Sequence, residues 1–454
     1  MRAWLLLTAT LAVIPPAYAD LFTAQLAYQK GDYERAYKDY RELAEIGQPL
    51  AQYNLAIMYA KGQGVRQSDL NAYAWATLAA AGGEARGQEL ADHLRAELAP
   101  GSEKIAGDLV APYSRAALDE RLMPKVLPED AALKTCHIVA WDRDYLRYPP
   151  QARAQGIQGN LYVEFVVMPD GTARSPRILY SLVGHVFDST VRNLILHFRY
   201  AERDASDPPI HCAMLVRFRE RGLEISDYPK LMTVLSTTRE KALAGDVPAE
   251  LLYGMLLAGV PQLGHSRKDA LPWFLKAAQS GSRDAQFEIG SSLLLGLGCQ
   301  CEETKAEVWL RKAAEADQSN AQVTLAQYAL RGTPDATQTQ IAKAWLERAA
   351  ASGDHDGMFY LAALLAATPL KEYRDPSRAL RLLDNMKKEL GEDPSEFEIR
   401  AAAHAEAGAF DQAVESERRA IEMARKLHWE LAPLNDRLAR YQAREAWYGN
   451  LLTL

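Results

Sequence analysis

The sequence has few cysteines and no excess of positive charge. Four cysteines in 454 residues are too few for a scaffold built on disulfides, although they suffice for individual bridges. The formal net charge is −7, whereas a general nucleic-acid-binding protein needs a basic face. We therefore expect no nucleic-acid partner.

Recognisable catalytic motifs are also absent. The sequence contains no Gly-x-Ser-x-Gly nucleophile turn, no His-Glu-x-x-His zinc motif and no phosphate-binding loop. Its nine histidines are scattered, and we expect His185 and His197 to be surface residues that flank a helix. The sequence thus predicts a protein without catalytic residues, cofactor or metal site. An uncharacterised envelope enzyme is the alternative of another class, because motif searches miss unknown sites.

Apolar runs long enough to cross a membrane are absent as well. The uncharged run Trp4–Ile14 is shorter than the ~20 residues of a spanning helix, and two prolines follow it. Ala17-Tyr18-Ala19 then provides the small-x-small pattern that signal peptidase recognises. We predict a signal peptide over residues 1–19, cleavage before Asp20 and a periplasmic protein without stable membrane insertion. An uncleaved membrane anchor is the alternative.

The sequence does contain an internal repeat of 36 residues. Trp273, Trp309 and Trp345 recur at this spacing. The same period is followed by small residues and by alanine pairs, namely Ala249, Ala285, Ala321 and Gly357, and Ala277-Ala278, Ala313-Ala314 and Ala349-Ala350. Each period holds two helical patterns joined by a turn, as at Gly296 and Gly298. One helix pair cannot bury its apolar faces alone, so stacked pairs should form a solenoid with the tryptophans packed between helices.

The clearest copy of the repeat lies near the N-terminus. Its residues are Ala51-Gln52, Leu55, Tyr59, Gly62, Gly64, Val65, Asp69, Ala72, Trp75 and Ala79-Ala80-Ala81-Gly82. This pattern resembles the Sel1-like repeat, a relative of the tetratricopeptide repeat. Near the C-terminus, Ala407-Gly408, Phe410, Ala413 and Ala420 resemble a tetratricopeptide unit, and a capping helix is expected over 434–448. The resemblance implies a scaffold that binds partner proteins in the repeat groove, with a structural spacer as the alternative.

The periodicity changes in the middle of the chain. Residues 161–168 alternate as a strand does, and Asp170-Gly171 predicts a tight hairpin into a second strand over 173–180. Apolar residues at helical spacing between Phe187 and Phe198 then predict an amphipathic helix. A last strand over 211–219 completes a β-β-α-β unit.

This unit resembles the C-terminal domain of the TonB energy transducer. The residues that carry the resemblance are Tyr148-Pro149, Ala152, Gly156-Ile157-Gln158-Gly159, Asp170-Gly171, Ile178, Phe187-Asp188, Val191 and Phe198-Arg199-Tyr200. Members of this family bind an extended peptide of an outer-membrane transporter at the edge of their sheet. The resemblance therefore implies a protein partner in the cell envelope. An accessory TonB-type energy transducer acting on an outer-membrane transporter is the alternative to a scaffold.

The last strand of this unit is predicted to be the binding edge. No further strand follows it directly, and it carries arginines of the kind that protect an exposed edge from wrong pairing. Such an edge accepts an extended peptide through main-chain hydrogen bonds. The predicted peptide-binding residues are Ala213, Leu215, Arg217 and Arg219. The alternative is an edge covered by a loop or by the repeats.

The cysteines flank the same unit. Cys136-His137 and His211-Cys212 have the composition of a zinc site, but neighbouring residues of a strand point to opposite faces. A structural disulfide between Cys136 and Cys212 is therefore favoured over free thiols or a metal site. Cys299 and Cys301 lie in a predicted turn, where a strained mutual disulfide, free thiols and adventitious metal binding all remain open.

These patterns predict a mostly α protein in which helical-repeat arms, α-α solenoids, flank a small α+β domain. The expected segments are a signal peptide (1–19), N-terminal repeats (20–122), a proline-rich linker (123–135), the TonB-like domain (136–222), Sel1-like repeats (223–392) and a tetratricopeptide-like unit with a capping helix (393–454). The expected function is that of a periplasmic scaffold or adaptor.

Overall fold

A computed structural model describes residues 19–127, 136–141, 147–181, 184–218, 228–260, 264–386 and 393–451. The predicted signal peptide lies outside the described residues except for Ala19. The chain divides into two compact units, Met1–Met123 and Pro124–Leu454. Among the described residues, no helix combines the length and the apolar character needed to cross a membrane.

The N-terminal unit is built from antiparallel helix pairs. Its helices are α1 (Ala19–Gln29), α2 (Tyr33–Glu45), α3 (Pro49–Lys61), α4 (Asp69–Ala81), α5 (Ala85–Arg95), α6 (Ser102–Val110) and α7 (Arg115–Arg121). The turn between α3 and α4 needs glycine, because a Cβ on Gly64 would lie 2.0 Å from the carbonyl oxygen of Tyr33. Trp75 is buried and stacks on Tyr113 at 5.2 Å between ring centres, as expected for a residue between packed helices.

The second unit begins with the central module. Its elements are β1 (Ala140–Trp141), α8 (Pro150–Ala154), β2 (Gly159–Val167), β3 (Ala173–Ser181), α9 (Asp188–Leu196), β4 (Phe198–Arg199) and β5 (Ile210–Phe218). The β2, β3, α9 and β5 elements confirm the predicted β-β-α-β unit. The three long strands form an antiparallel sheet in the order β3-β2-β5. A short ladder between β1 and β4, which the sequence did not predict, forms a second sheet.

Local chemistry explains the hairpin between β2 and β3. Asp170 Oδ1 accepts a hydrogen bond of 2.9 Å from the backbone amide of Thr172. Gly171 has a φ of +75°, and a Cβ there would lie 2.5 Å from the carbonyl oxygen of Tyr200. Only glycine therefore fits this turn without strain.

The C-terminal arm follows the module with paired helices. These are α10 (Tyr228–Leu243), α11 (Val247–Gly259), α12 (Arg267–Gln279), α13 (Arg283–Leu295), α14 (Glu303–Glu315), α15 (Ser319–Ala329), α16 (Ala336–Ala351), α17 (His355–Ala367), α18 (Pro376–Asn385), α19 (Pro394–Glu406), α20 (Phe410–Lys426) and α21 (Ala432–Gln442). The predicted capping helix over 434–448 corresponds to α21, which begins earlier, at Ala432, and ends earlier, at Gln442.

The repeat tryptophans are not equivalent. Trp309 and Trp345 are fully buried, as the 36-residue period predicted. Trp273 is only half-buried and meets Tyr253 edge-on at 4.8 Å between ring centres. The neighbouring Phe274 occupies the interior position instead. Its ring packs directly against Gly254, and a Cβ on this glycine would lie 2.6 Å from the ring.

The start of the predicted linker contacts the arm. The amide of Leu127 donates to the carbonyl of Gly298 at 3.2 Å, and the amide of Gln300 donates to the carbonyl of Lys125 at 2.8 Å. The glycine turn between α13 and α14 thus holds the chain where it enters the second unit. The remainder of the linker, 128–135, lies outside the described residues.

Candidate functional site: the sheet and its two edges

The two faces of the central sheet have different coverings. Leu161, Val163 and Phe165 belong to the apolar core that the sheet shares with α9. Tyr162 and Glu164 point to the opposite face, because successive side chains of a strand alternate. They are nevertheless buried, since the C-terminal arm covers this second face.

A buried arginine connects the second face to α15. Arg177 of β3 is 1% exposed, and its guanidinium lies 3.3 Å from Glu164 Oε2. The same group donates to the backbone carbonyl of Asn320 and to Thr324 Oγ1, each at 3.1 Å, and also to Gln327. Burial works to raise the pKa of Glu164, but Arg177 and His211 together hold it below its ordinary value. The carboxylate therefore stays charged inside the interface.

An aromatic pair makes the contact with α12. Tyr162 and Tyr180 stack on neighbouring strands with 5.6 Å between ring centres. The guanidinium of Arg267 lies 4.9 Å above Tyr162 and forms a buried ion pair of 2.5 Å with Glu288 of α13. The charge of Arg267 is thus satisfied by the arm while its flat face packs on the sheet.

The module also contacts α17 and the residues that follow α20. Arg192 of α9 forms an ion pair of 2.7 Å with Asp356 at the start of α17. Arg199 donates to the carbonyl of Leu427 at 2.6 Å, and Arg174 lies 4.3 Å over the ring of Trp429. Helices of these repeats, which were expected to bind a partner, thus bind the module of the same chain.

The β3 edge of the sheet is covered by α15 of the arm and by α9 of the module. The side-chain amide of Asn320 donates to the carbonyls of Leu179 at 3.1 Å and Ile178 at 3.4 Å. Arg192 donates to the carbonyl of Pro176 at 2.7 Å. Side chains thus take the hydrogen-bonding places that a further strand would need.

The β5 edge is different. β5 pairs with β2 from Gly159 opposite Phe218 to Val167 opposite Ile210, and within the described part of the chain no strand pairs with its other side. The sequence-based expectation of an edge strand at this place is therefore confirmed. Binding of a peptide at this edge also depends on where the predicted residues lie.

The predicted edge residues share one face. Ala213, Leu215 and Arg217 lie opposite Glu164, Tyr162 and Asn160 in register, on the side that faces the arm. Their burial decreases along the strand: Ala213 is 6% exposed, Leu215 is half-buried and Arg217 is exposed. Arg219 lies outside the described residues.

The Cys136–Cys212 bridge is present in the structure, with 5.9 Å between the Cα atoms. It ties the segment before β1 to the second half of the module, at the start of the edge strand. Cys299 and Cys301, whose state the sequence left open, are thiols, the first buried and the second exposed. No group of three or more His, Cys, Asp or Glu side chains suited to a metal ion occurs in the described ranges.

One histidine differs from expectation. His185 is exposed, with a ring nitrogen 2.8 Å from Asp188 Oδ2. His197, which we expected at the surface, is 8% exposed. His197 lies between the end of α9 and the start of β4.

Sequence reasoning missed the residues that hold the module on the arm. The chief ones are Arg177, Arg192, Arg267, Glu288, Asn320 and Asp356. The repeat period did contain a usable signal. Glu288 and Thr324 are one 36-residue period apart, so they occupy equivalent positions of two helices, and the residues next to each of them are small or apolar. A polar residue at such a helix position indicates that the surface of the repeats contacts a polar group there.

Comparisons with known proteins agree with this architecture. The family model of the Gram-negative bacterial TonB protein C-terminal domain matches residues 144–219. The Sel1 repeat model matches residues 49–84, 247–282, 283–318 and 319–354. Protein TonB of Klebsiella pneumoniae is 32% identical over 79 residues, which are 17% of this chain and 31% of that protein. The chain thus spans about a third of the length of this curated relative.

Two solved structures of repeat proteins are also similar. One is c5321, a protective antigen of uropathogenic Escherichia coli strains that displays an SLR fold. It is 17% identical with a TM-score of 0.37, and the match covers 95% of this chain and 65% of that one. The other is a Sel1 repeat protein from Oxalobacter formigenes, 25% identical with a TM-score of 0.34, covering 43% of this chain and 80% of that one. Residues 49–84 and 247–354 are thus similar to Sel1 repeats, and the segment similar to the TonB C-terminal domain, 144–219, lies between them.

Proposed function

We propose that this protein is a periplasmic adaptor that captures an extended segment of an envelope protein at the open edge of β5. The observation that carries the proposal is the difference between the two edges of the sheet. β3 is occupied by side chains of α15 in the arm and of α9 in the module, whereas β5 has no neighbouring strand on its outer side among the described residues. An extended peptide can pair with such an edge through its main chain, with alternate side chains providing selectivity.

The arm contributes rigidity to this site. Contacts from α12, α15 and α17 fix the sheet, so that binding does not have to order it first. Preorganisation of this kind raises affinity because less conformational entropy is lost on association. The same contacts commit parts of α12, α15 and α17 to the module, which favours β5 over these helices as the partner site.

Two features support a location in the periplasm. The disulfide between Cys136 and Cys212 fits an oxidising compartment. The matched domain is that of a Gram-negative envelope protein. Cell fractionation of the native host tests the location, and recovery of the chain with reduced Cys136 in the cytoplasm would contradict it.

Proline substitutions test the binding edge. Successive amides of a strand point to opposite sides, so one of Met214→Pro and Leu215→Pro removes an outward donor and the other removes a donor to β2. We expect one variant to stay folded and to lose binding of peptides selected on the full-length protein from a random phage-displayed library. Arg217→Ala is the matched control, since it changes only a side chain. Full binding by the folded proline variant would place the partner elsewhere.

The TonB-like domain also supports a second candidate, an accessory energy transducer that acts on an outer-membrane transporter. The two candidates differ in the partner. A transducer binds the periplasm-facing plug peptide of a transporter, and its deletion impairs uptake through that transporter. An adaptor binds other envelope segments and leaves uptake unchanged.

A further inference from the structure

A small cavity opens between the sheet and the arm at the start of β5. Its volume is about 120 Å³. The residues that define it are His211 of β5, Leu294 and Leu295 at the end of α13, Glu303 at the start of α14, and Tyr328 and Arg331 at the end of α15. The cavity exists only because the arm packs on the sheet, so neither the repeats nor the TonB-like domain would form it alone.

The position of the cavity relates it to the open edge. His211 lies opposite Val166 in register and shares a face with Ala213 and Leu215. A strand added to β5 would direct every second side chain to this same face, because side chains alternate along a strand. One of these arm-facing side chains would therefore lie at the mouth of the cavity.

The lining shows which side chain fits. Leu294 and Leu295 are only half-buried, and they present apolar surface to the cavity. The inner wall also contains three polar side chains, Glu164, Thr324 and Gln327, and all three accept hydrogen bonds from Arg177. His211 lies 3.3 Å from the same Glu164 carboxylate. A charged side chain that entered the cavity would lose its hydration. Among the described residues, the interior offers no unpaired group of opposite charge that would compensate for this loss.

The remaining charges nearby do not change this conclusion. Glu303 and Arg331 are both exposed and carry opposite charges. Arg331 lies 3.8 Å over the ring of Tyr328, which adds to the wall of the cavity. The charges at the rim thus favour neither sign in the ligand, and a neutral apolar group is the best match.

Building on the proposed function, we propose that the partner of β5 is an extended segment with a large aliphatic or aromatic side chain at one arm-facing position, which enters the cavity between β5, α13 and α15. The main chain of the segment pairs with β5. The side chain packs on Leu294, Leu295 and the ring of Tyr328, and this contact selects among peptides that the edge alone would bind equally.

Positional scanning of selected peptides on the full-length protein tests the inference. At one arm-facing position, replacing the apolar residue by alanine should weaken binding on the order of ten- to a hundred-fold, the loss expected for one buried apolar side chain. Leu295→Lys should abolish this preference, and Leu295→Met should keep it. Leu252→Lys on α11 is the control, because Leu252 is an exposed leucine that does not line the cavity.

The outcomes separate the two proposals. Peptides that protect the β5 amides from hydrogen exchange but tolerate alanine at every arm-facing position would overturn the cavity inference and leave the adaptor function standing. Peptides that bind without protecting β5 would overturn both. A preference that survives Leu295→Lys would also place the selective contact outside the cavity.

Discussion

The two edges of one three-stranded sheet have opposite surroundings. At β3, Asn320 of the arm and Arg192 of α9 donate hydrogen bonds to backbone carbonyls, so side chains of helices take the place of a neighbouring strand. At β5, the described part of the chain supplies no neighbouring strand. The comparison shows that helices contact the sheet at β3, whereas β5 has no strand partner on its outer side among the described residues. Proteins usually block an unpaired edge against aggregation, and this is why we propose β5 as the binding edge.

The largest expected effect comes from the buried arginine on the β3 side. Arg177→Ala leaves Glu164 buried with a weaker set of partners, which should lower the free energy of unfolding by about 3–5 kcal/mol. Arg217→Ala on β5 is the matched control and should change it by less than about 0.5 kcal/mol, because its side chain is exposed. Urea unfolding of both variants checks the difference, and equal losses would mean that the two sides are held alike.

The second prediction concerns the covalent tie on the β5 side. Replacing Cys136 and Cys212 together by serine should lower the free energy of unfolding on the order of 4 kcal/mol by the loop-entropy account, since the bridge joins residues 76 apart. β5 is thus secured by a disulfide and β3 by polar contacts. A double variant that unfolds at the same denaturant concentration as the parent would remove this distinction.

These contacts explain why the sequence predicted the fold better than the site. The alternation of residues 161–168 identified β2, and Asp170-Gly171 identified the hairpin. A period of two shows that a strand has two faces, but it does not show what covers the second face. Tyr162 and Glu164 lie on the face opposite the α9 core, and the arm buries them there. Arg177 and Asn320 are 143 residues apart, and no local pattern connects such positions.

The third prediction tests the cover of β3 directly. Asn320→Ala removes the donor to the carbonyls of Ile178 and Leu179 and should cost about 1–3 kcal/mol, the penalty of leaving buried acceptors unpaired. Asn160→Ala, which removes one bond of 2.7 Å to the carbonyl of Gly259, is the comparison and should cost about 0.5–1.5 kcal/mol. Thermal melts measure both. A larger loss for Asn160, which lies on the central strand β2, would contradict the role of Asn320 as a principal contact at the β3 edge.

The remaining expected effects appear on changing the pH. Burial opposes ionisation of Asp356, but Arg192, His355 and Arg177 hold its pKa below the ordinary 3.8. A lowered pKa stabilises the fold above that value, and this contribution is lost as the pH falls below it. Acidification below about pH 4 should therefore loosen the β3 side through Asp356. Asp356→Asn should reduce this acid sensitivity in a melting curve recorded against pH, and an unchanged curve would contradict it.

The C-terminal cap should respond to pH in the opposite sense. Burial, together with the nearby charge of Glu398, raises the pKa of Glu417 to about 8 from 4.5, although Arg437 opposes the shift. The folded chain then holds a proton that the unfolded chain releases, so stability falls as the pH rises from 4.5 to 8. Glu417→Gln should raise the melting temperature at pH 8 and leave it nearly unchanged near pH 4. Equal effects at both values would show that Glu417 titrates normally.

Hydrogen exchange of the full-length protein tests the central claim most directly. Outward-facing amides of β5 should exchange rapidly in the free chain and become protected when a selected peptide is added, because the peptide main chain then accepts from them. The amides of β3 should exchange at the same rate with and without the peptide. Protection that appears on β3, or β5 amides that are already fully protected in the free chain, would contradict the account.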